Sequence, residues 1–464
     1  YTDKKRDLHE ADLSHLQRAV EVYDDMCQLF PRDFQRIDCV RSGSLLSIEA
    51  VSDLLWETVV PFLPTKPDHP TSSALGTTPN PYIQKDALGQ SKITQAGSDF
   101  LNNAVTDVSG NIYAFTNTLS PTLVAAAMAR LSRRGDDLRH IILEEFAQAN
   151  NKDNALLHRV ITEYGDDSVQ QLVSLHMVVE KASNLLTKKL EWGRLAAYLE
   201  QSTRYIYFDQ KDASGEYQYH TPSTFGHELR GAYQLEMNTI FDKYSELVSG
   251  LATYLQQNSA TPEAERDTAW RNAIRAQACD AARPVLPVAT TATVGIHASG
   301  QAIENLIMNL LGDALPEAQQ AGKELLVQAR KVIPTFLERT DLPERGGATS
   351  AYRATNRTNL KQLANDLLPG QFGQYEEPVR LTGVWPRNEL DLVPDMLYEH
   401  SHLSLKEIEE QVANWPYDTK VSVLNAYIGE RFNRRQRPGR ALEKAHYSWD
   451  IVCDYGIFRD LQRH

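Results

Sequence analysis

Apolar residues at helical spacing set the character of the chain. Leu13, Leu16, Val20, Tyr23 and Leu29 or Phe30 recur at three- and four-residue steps along 11–30, and Pro31 ends the run. A second helix is expected from about Ser47 to Val60. Prolines at 61, 64, 67, 70, 79 and 81 then exclude regular helix or central strand, so 61–92 reads as a long Pro-rich loop. Helical patterning resumes at Ser120, a fitting N-cap with Pro121 at the first helical position. Further helices are predicted over 167–200, 224–257, 261–282, 298–311, 316–338 and 404–430. "RYIYFDQ" (204–210), "GEYQYHT" and "VRLTGVW" carry the β-branched and aromatic content of strands. The expected class is α+β, mainly helical with small mixed or antiparallel sheets, and Gly/Pro stretches at 341–348 and 369–388 mark a boundary between two halves.

Composition narrows the function. The 464 residues are 42% hydrophobic, enough for two to four domains, and no run reaches the roughly 18 apolar residues of a membrane span. A net charge of -13 argues against a broad nucleic-acid surface, which needs many cations to neutralise phosphates. Four scattered cysteines, Cys27, Cys39, Cys279 and Cys453, have neither finger-like nor CxxC spacing, so no metal site is expected. A cytoplasmic setting is expected from the same features. The chain begins at Tyr1 without a methionine and stops in the charged stretch "FRDLQRH", and continuation at both ends is expected.

The densest candidate chemistry lies in "EWGRLAAYLEQSTRY", 191–205. Arg194, Glu200, Ser202 and Arg204 close an expected helix and enter an expected strand, where side chains and free backbone N–H groups converge. Two guanidiniums with a hydroxyl suit a phosphate, and a carboxylate suits a ribose hydroxyl or a base N–H. The same spacing also makes Glu200 and Arg204 an ordinary solvated i, i+4 pair, and the residues alone leave both readings open.

"GRLAAYLEQSTRY" resembles the signature of the flavin-dependent thymidylate synthases. In that family an Arg-His-Arg triplet is followed by seven residues and a serine, ending in Ser-x-Arg-Tyr. Arg194 matches the last arginine of the triplet, and Glu200, Ser202, Arg204 and Tyr205 match in register, while Trp192 and Gly193 replace its first two residues. "AMARLS" (127–132) resembles an Ala-Arg-Val-Ser segment whose serine contacts the flavin, here Ser132. "YGDDSVQQ" (164–171) keeps Gly165 and Ser168 of a second segment but has Asp166, Gln171 and Leu172 for its His, Glu and His. "AARPVLP" (281–287) places Arg283 where the family's arginine reaches the nucleotide. Ser299 and Gln301 stand loosely where an Asn and an Arg are found.

"RPGRALEKAHYSWDIVCDYGIFRDLQRH" (437–464) resembles both the family and the first half's 165–193. It brings Glu443 onto a family glutamate, Arg459 onto the arginine a turn before the triplet, and Arg463 and His464 onto the triplet's first two residues. The resemblance therefore implies a degenerate tandem duplication of the thymidylate synthase-like fold. Its parts are an N-terminal helical extension 1–112, a first unit 113–340, a linker 341–378, and the start of a second unit at 379–464. The two units are expected to pool their ligands.

The family methylates dUMP at C5 with methylene-tetrahydrofolate, FAD and NADPH. By carry-over, Ser202, Arg204 and Arg283 hold the nucleotide phosphate, Glu200 the sugar or base, and Ser132, Ser168, Arg194 and His464 face FAD or folate. Arg463 and Ser202 are the catalytic candidates, Arg463 stabilising the electron-rich uracil. A homodimer of two-unit chains, a pseudo-tetramer, is implied. Three functions stay open: a two-copy enzyme of this type acting on dUMP or a related uracil compound, a nucleotide- or flavin-binding homologue without turnover, and a helical interaction scaffold. His176 and His297 read as core or interface histidines of apolar helices, and His400 and His402 lack the further ligands a metal needs.

Overall fold

The computed structural model describes residues 13–29, 36–41, 43–60, 80–85, 91–131, 134–147, 167–193, 195–213, 215–368, 370 and 377–462. Ser132, Arg194, Arg463 and His464 lie outside the described residues, as does most of the Pro-rich loop. Two compact units are present, Tyr1–Pro79 and Asn80–His464.

In the first unit, helices Leu13–Leu29 and Ile48–Val59 flank a two-stranded hairpin, Val40–Arg41 with Ser44–Leu45. Ser47 caps the second helix, its side chain accepting from the Ala50 N–H. Gly43 at the hairpin turn has φ +80, the left-handed conformation that glycine adopts without steric cost.

The second unit is mainly helical, and every strand pairing among its described residues is antiparallel. Its central sheet has three strands in the order Ser174–Ser183, Thr291–Ser299, Ala196–Glu200. Leu175, Ala182, Val294, Ile296 and Ala298 project from one face onto Ile303, Ile307 and Leu310 of helix Gly300–Leu311 and Leu325 and Leu326 of helix Pro316–Ala329, forming the largest core. The strand-to-helix turn at Gly300 needs glycine, because a Cβ there would lie 2.8 Å from Val173 and 3.0 Å from the Gln170 carbonyl. A second core packs Phe208 and Tyr217 on Phe241, Tyr244 and Val248 of helix His227–Gln257, and a third gathers Leu390, Val393, Met396, Ile408 and Val412. Ser120 caps helix Pro121–Arg130 as expected.

Several elements differ from the expectations. The helix expected over 167–200 is two short helices, Asp167–Gln171 and Asn184–Leu190, separated by a ten-residue strand and followed by another. The apolar run Met177-Val178-Val179 pairs with Thr291–Ser299, where Thr291, Thr293, Val294 and Ile296 are β-branched, a strand that apolar helical patterning concealed. Residues 204–210 form a turn and irregular chain, because Phe208 is drawn into the second core. His176 and His297 are therefore strand residues, exposed and stacked across the sheet at 4.2 Å rather than buried in helices. "VRLTGVW" is a strand, Val379–Trp385, and the expected linker contains a 22-residue helix, Gly346–Leu367.

The last part of the chain repeats a local order. Short helix Asp167–Gln171, strand Ser174–Ser183 and seven-residue helix Asn184–Leu190 have counterparts in 3₁₀ turn Arg440–Lys444, strand His446–Ile451 and seven-residue helix Tyr455–Leu461. Each seven-residue helix starts from a side-chain cap, Ser183 accepting from the Leu186 N–H and Asp454 from the Ile457 N–H.

Candidate functional site

The site forms where helix Tyr455–Leu461 lies against helix Asn184–Leu190 and the end of strand Ala196–Glu200. Tyr455 donates its hydroxyl hydrogen to the Asn184 carbonyl at 2.9 Å, a pair 271 positions apart, and Gln462 Nε2 donates to the Lys188 carbonyl at 2.9 Å. Burial pushes the Tyr455 hydroxyl up to about 12, which keeps it a hydrogen-bond donor.

Between the helices sits a buried array of four charges. Arg459 Nη2 is 2.7 Å from Glu200 Oε1, and Lys188 Nζ is 3.2 Å from Glu200 Oε2 and 2.5 Å from Glu191 Oε2. The side chains of Glu200, Glu191, Lys188 and Arg459 are 1%, 3%, 6% and 8% exposed, so neither cation has water to fall back on. Arg459 Nη1 also donates to Thr203 Oγ1 at 3.3 Å. Burial works to raise the Glu200 pKa, but Arg459 and Lys188 outweigh it and hold the carboxyl below its ordinary value.

A second, more exposed array lies beside it. Asp280 Oδ1 bridges Arg204 Nε at 3.0 Å and Arg283 Nε at 3.2 Å, while Asp460 Oδ2 bridges Arg204 Nη2 at 2.7 Å and Arg283 Nη2 at 3.3 Å. The two arginines expected at a phosphate are thus brought together, each facing two carboxylates. Ser202 Oγ accepts from the Arg204 N–H at 3.2 Å and fixes the turn that aims this side chain. A small cavity lined by Asn184, Thr203, Arg283, Tyr455, Gly456 and Arg459 opens at the same place.

Alongside runs a cleft of about 1020 Å³. The first half supplies Lys188, Trp192, Tyr198, Gln171, Ser299, Gln301, Asn305 and Asn309, and the C-terminal helix supplies Tyr455 and Phe458. Gln301, Asn305 and Asn309 recur every four residues on helix Gly300–Leu311, giving one wall a row of carboxamides. Gln171 donates to Gln301 Oε1 at 2.6 Å, so two positions that depart from the family's charged residues make an uncharged contact.

Of the expected site residues, Glu200, Ser202, Arg204 and Arg283 come together. Ser168 lies on helix Asp167–Gln171, and Ser132, Arg194, Arg463 and His464 fall outside the described residues. Glu200 faces inward to Lys188 and Arg459 rather than outward. Sequence reading missed Lys188, Glu191, Asp280, Asp460 and Tyr455. Asp280 sits one turn before Arg283, and Lys188 aligns with Arg459 when 165–193 is laid on 437–464, a signal that was available. Among the described residues no group of three or more His, Cys, Asp or Glu side chains is placed to hold a metal.

A UPF0159 protein of Chlamydia pneumoniae is 30% identical over 388 residues, covering 78% of this chain and 72% of its relative. This chain belongs to the UPF0159 proteins, divergent members of the flavin-dependent thymidylate synthase family. A family model described as thymidylate synthase complementing protein matches residues 115–335. The UPF0159 protein of Thermoplasma acidophilum is 26% identical, over 73% of this chain and 71% of that protein. A flavin-dependent thymidylate synthase of Clostridium tetani is 25% identical, over 48% of this chain and 82% of that enzyme. A Helicobacter pylori thymidylate synthase X crystallised with FAD and dUMP gives a TM-score of 0.31 at 15% identity, over 45% of this chain and 88% of that one. No helix among the described residues is long and apolar enough to cross a membrane.

Proposed function

We propose that this protein reductively methylates dUMP, or a related uracil compound, at C5, using a site built by both halves of the chain. The observation that carries the reading is the meeting of the two halves at the signature stretch: Arg459 on Glu200, and Asp460 beside Arg204 and Arg283. The matching element order of 167–190 and 440–461 supports a tandem duplication, and the cleft lined from both halves supports pooled ligands.

In this reading Arg204 and Arg283 hold the phosphate, and Ser202 orients Arg204. Glu200 sets the strand end against the C-terminal helix and thereby aligns Ser202 and Arg204 one turn on. The residues present fit a flavin: the cleft slightly exceeds the roughly 300–1,000 Å³ typical of small-molecule sites, and its lining combines aromatic Trp192 and Tyr198 with a carboxamide row suited to a heterocycle edge. FAD reduced by NADPH supplies hydride when bound, and methylene-tetrahydrofolate supplies the carbon. Ser132, Ser168, Arg194 and His464 carry over as its contacts, and Arg463 as the cation that stabilises the uracil ring as it gains electrons. Exposed apolar residues on the sheets, Val178 and Leu199 in the first half and Trp385 and Trp449 in the second, support a homodimer of two-unit chains.

A homologue without turnover is the competing reading, favoured by the carboxylates already facing Arg204 and Arg283. Turnover of dUMP with methylene-tetrahydrofolate, FAD and NADPH, followed as dTMP formed, tests the proposal. Product that vanishes in Arg204→Ala supports it, and absence of product and of bound flavin in the unmodified protein overturns it.

A further inference from the structure

Asp460 Oδ2 is shared by Arg204 and Arg283, two side chains expected to hold a phosphate. Asp280 Oδ1 closes the ring from the other side. The array is neutral, with two guanidiniums facing two carboxylates. Neighbouring Arg459 Nε is buried with no hydrogen-bond partner among the described residues, and Arg459 lines the small cavity against Arg283. The place is therefore supplied with more donors than Asp460 accepts from.

We infer that Asp460 occupies the position of a ligand's phosphate, so that this carboxylate competes from within the chain for Arg204 and Arg283. This rests on the reading of those arginines as the phosphate holders. The chain is built to make the exchange local. Arg459 is anchored by the buried Glu200 contact, whereas the Asp460 side chain is 40% exposed. Rotating Asp460 into solvent leaves helix Tyr455–Leu461 in place and frees Arg204 Nη2 and Arg283 Nη2, while Asp280 Oδ1 stays on the two Nε atoms. The helix backbone also lies close over Arg283, since a Cβ on Gly456 would stand 3.2 Å from Arg283 Nε. A phosphate monoester brings up to two negative charges and three acceptor oxygens where a carboxylate brings one and two, so it is the ligand class able to displace Asp460. A neutral nucleoside has no such advantage.

Titration calorimetry on the full chain tests this with three probes, dUMP, deoxyuridine and inorganic phosphate, against the unmodified protein, Asp460→Asn, and Asp460→Asn with Arg204→Ala. Removing a half-exposed competing charge is expected to tighten dUMP and inorganic phosphate by about three- to tenfold, leaving deoxyuridine unchanged. Adding Arg204→Ala should cancel the gain. Unchanged or weaker binding of both phosphate-bearing probes in Asp460→Asn, or an equal gain for deoxyuridine, overturns the inference. If inorganic phosphate gains through Arg204 while dUMP binds neither form, the internal competitor stands and the dUMP reading falls. Circular dichroism and the melting temperature of Asp460→Asn separate a lost ligand from a lost fold.

Discussion

Helices Asn184–Leu190 and Tyr455–Leu461 are both seven residues long, both follow a strand, and both begin at a side-chain cap. Both present a cation to Glu200, Lys188 from one and Arg459 from the other. They differ at the next residue. Lys189 turns to Asp313 within its own half, while Asp460 crosses to Arg204 and Arg283 of the other half. Two helices of the same local plan thus share a single buried carboxylate and differ in what they offer a ligand.

The most damaging change to this arrangement is loss of the shared carboxylate. Glu200→Ala strands Lys188 and Arg459 in the interior, although Glu191 still meets Lys188, and is expected to cost about 3–5 kcal/mol in urea unfolding. Arg459→Ala removes only the second helix's cation. It is expected to cost about 2–4 kcal/mol, and faster amide exchange should be confined to 455–462 and the end of strand Ala196–Glu200. Equal losses of protection in both helices would show that they do not behave as separate members of a pair.

Acid sharpens the same comparison. Glu200 is held below its ordinary value, so its contribution is complete above about pH 4.5 and is lost as pH falls through its folded-state value. A stability-against-pH profile of Glu200→Gln should lack that acid-side loss. A profile parallel to that of the unmodified protein would remove Glu200 as the titrating link.

The caps give the smallest effects. Asp454→Ala loses the bond from the Ile457 N–H and should cost about 1 kcal/mol. Ser183→Ala should cost more, about 2 kcal/mol, because Ser183 Oγ also donates to Glu317 Oε2 at 2.5 Å. Thermal melts of the two variants compare them directly.

The sequence carried the signature stretch and Arg283 but not what faces them. Helix Pro121–Arg130 was legible because Ser120 and Pro121 announce its start and its pattern is local. Strand Ser174–Ser183 was not, because its pairing with Thr291–Ser299 lies more than a hundred residues away and exposed Val178 turns Met177–Val179 into an apolar run that blurs the alternation. Glu200 and Arg204 looked like a solvated i, i+4 pair, yet a strand ends between them and they part, one inward to Arg459 and the other outward to Asp460. Asp280 one turn before Arg283 and the alignment of Lys188 with Arg459 hinted at partners, but that Arg459 reaches Glu200 and Asp460 reaches Arg204 and Arg283 is set by tertiary contact alone.

Whether both halves build one nucleotide site is tested by equilibrium binding of dUMP and FAD to the full chain, to Arg204→Ala and to Arg459→Ala. The unmodified protein is expected to bind both ligands, Arg204→Ala to weaken dUMP by about tenfold or more, and Arg459→Ala to weaken it as well although Arg459 belongs to the other half. Binding of neither ligand by the unmodified protein, or dUMP binding that ignores Arg459→Ala, would contradict a site built by both halves.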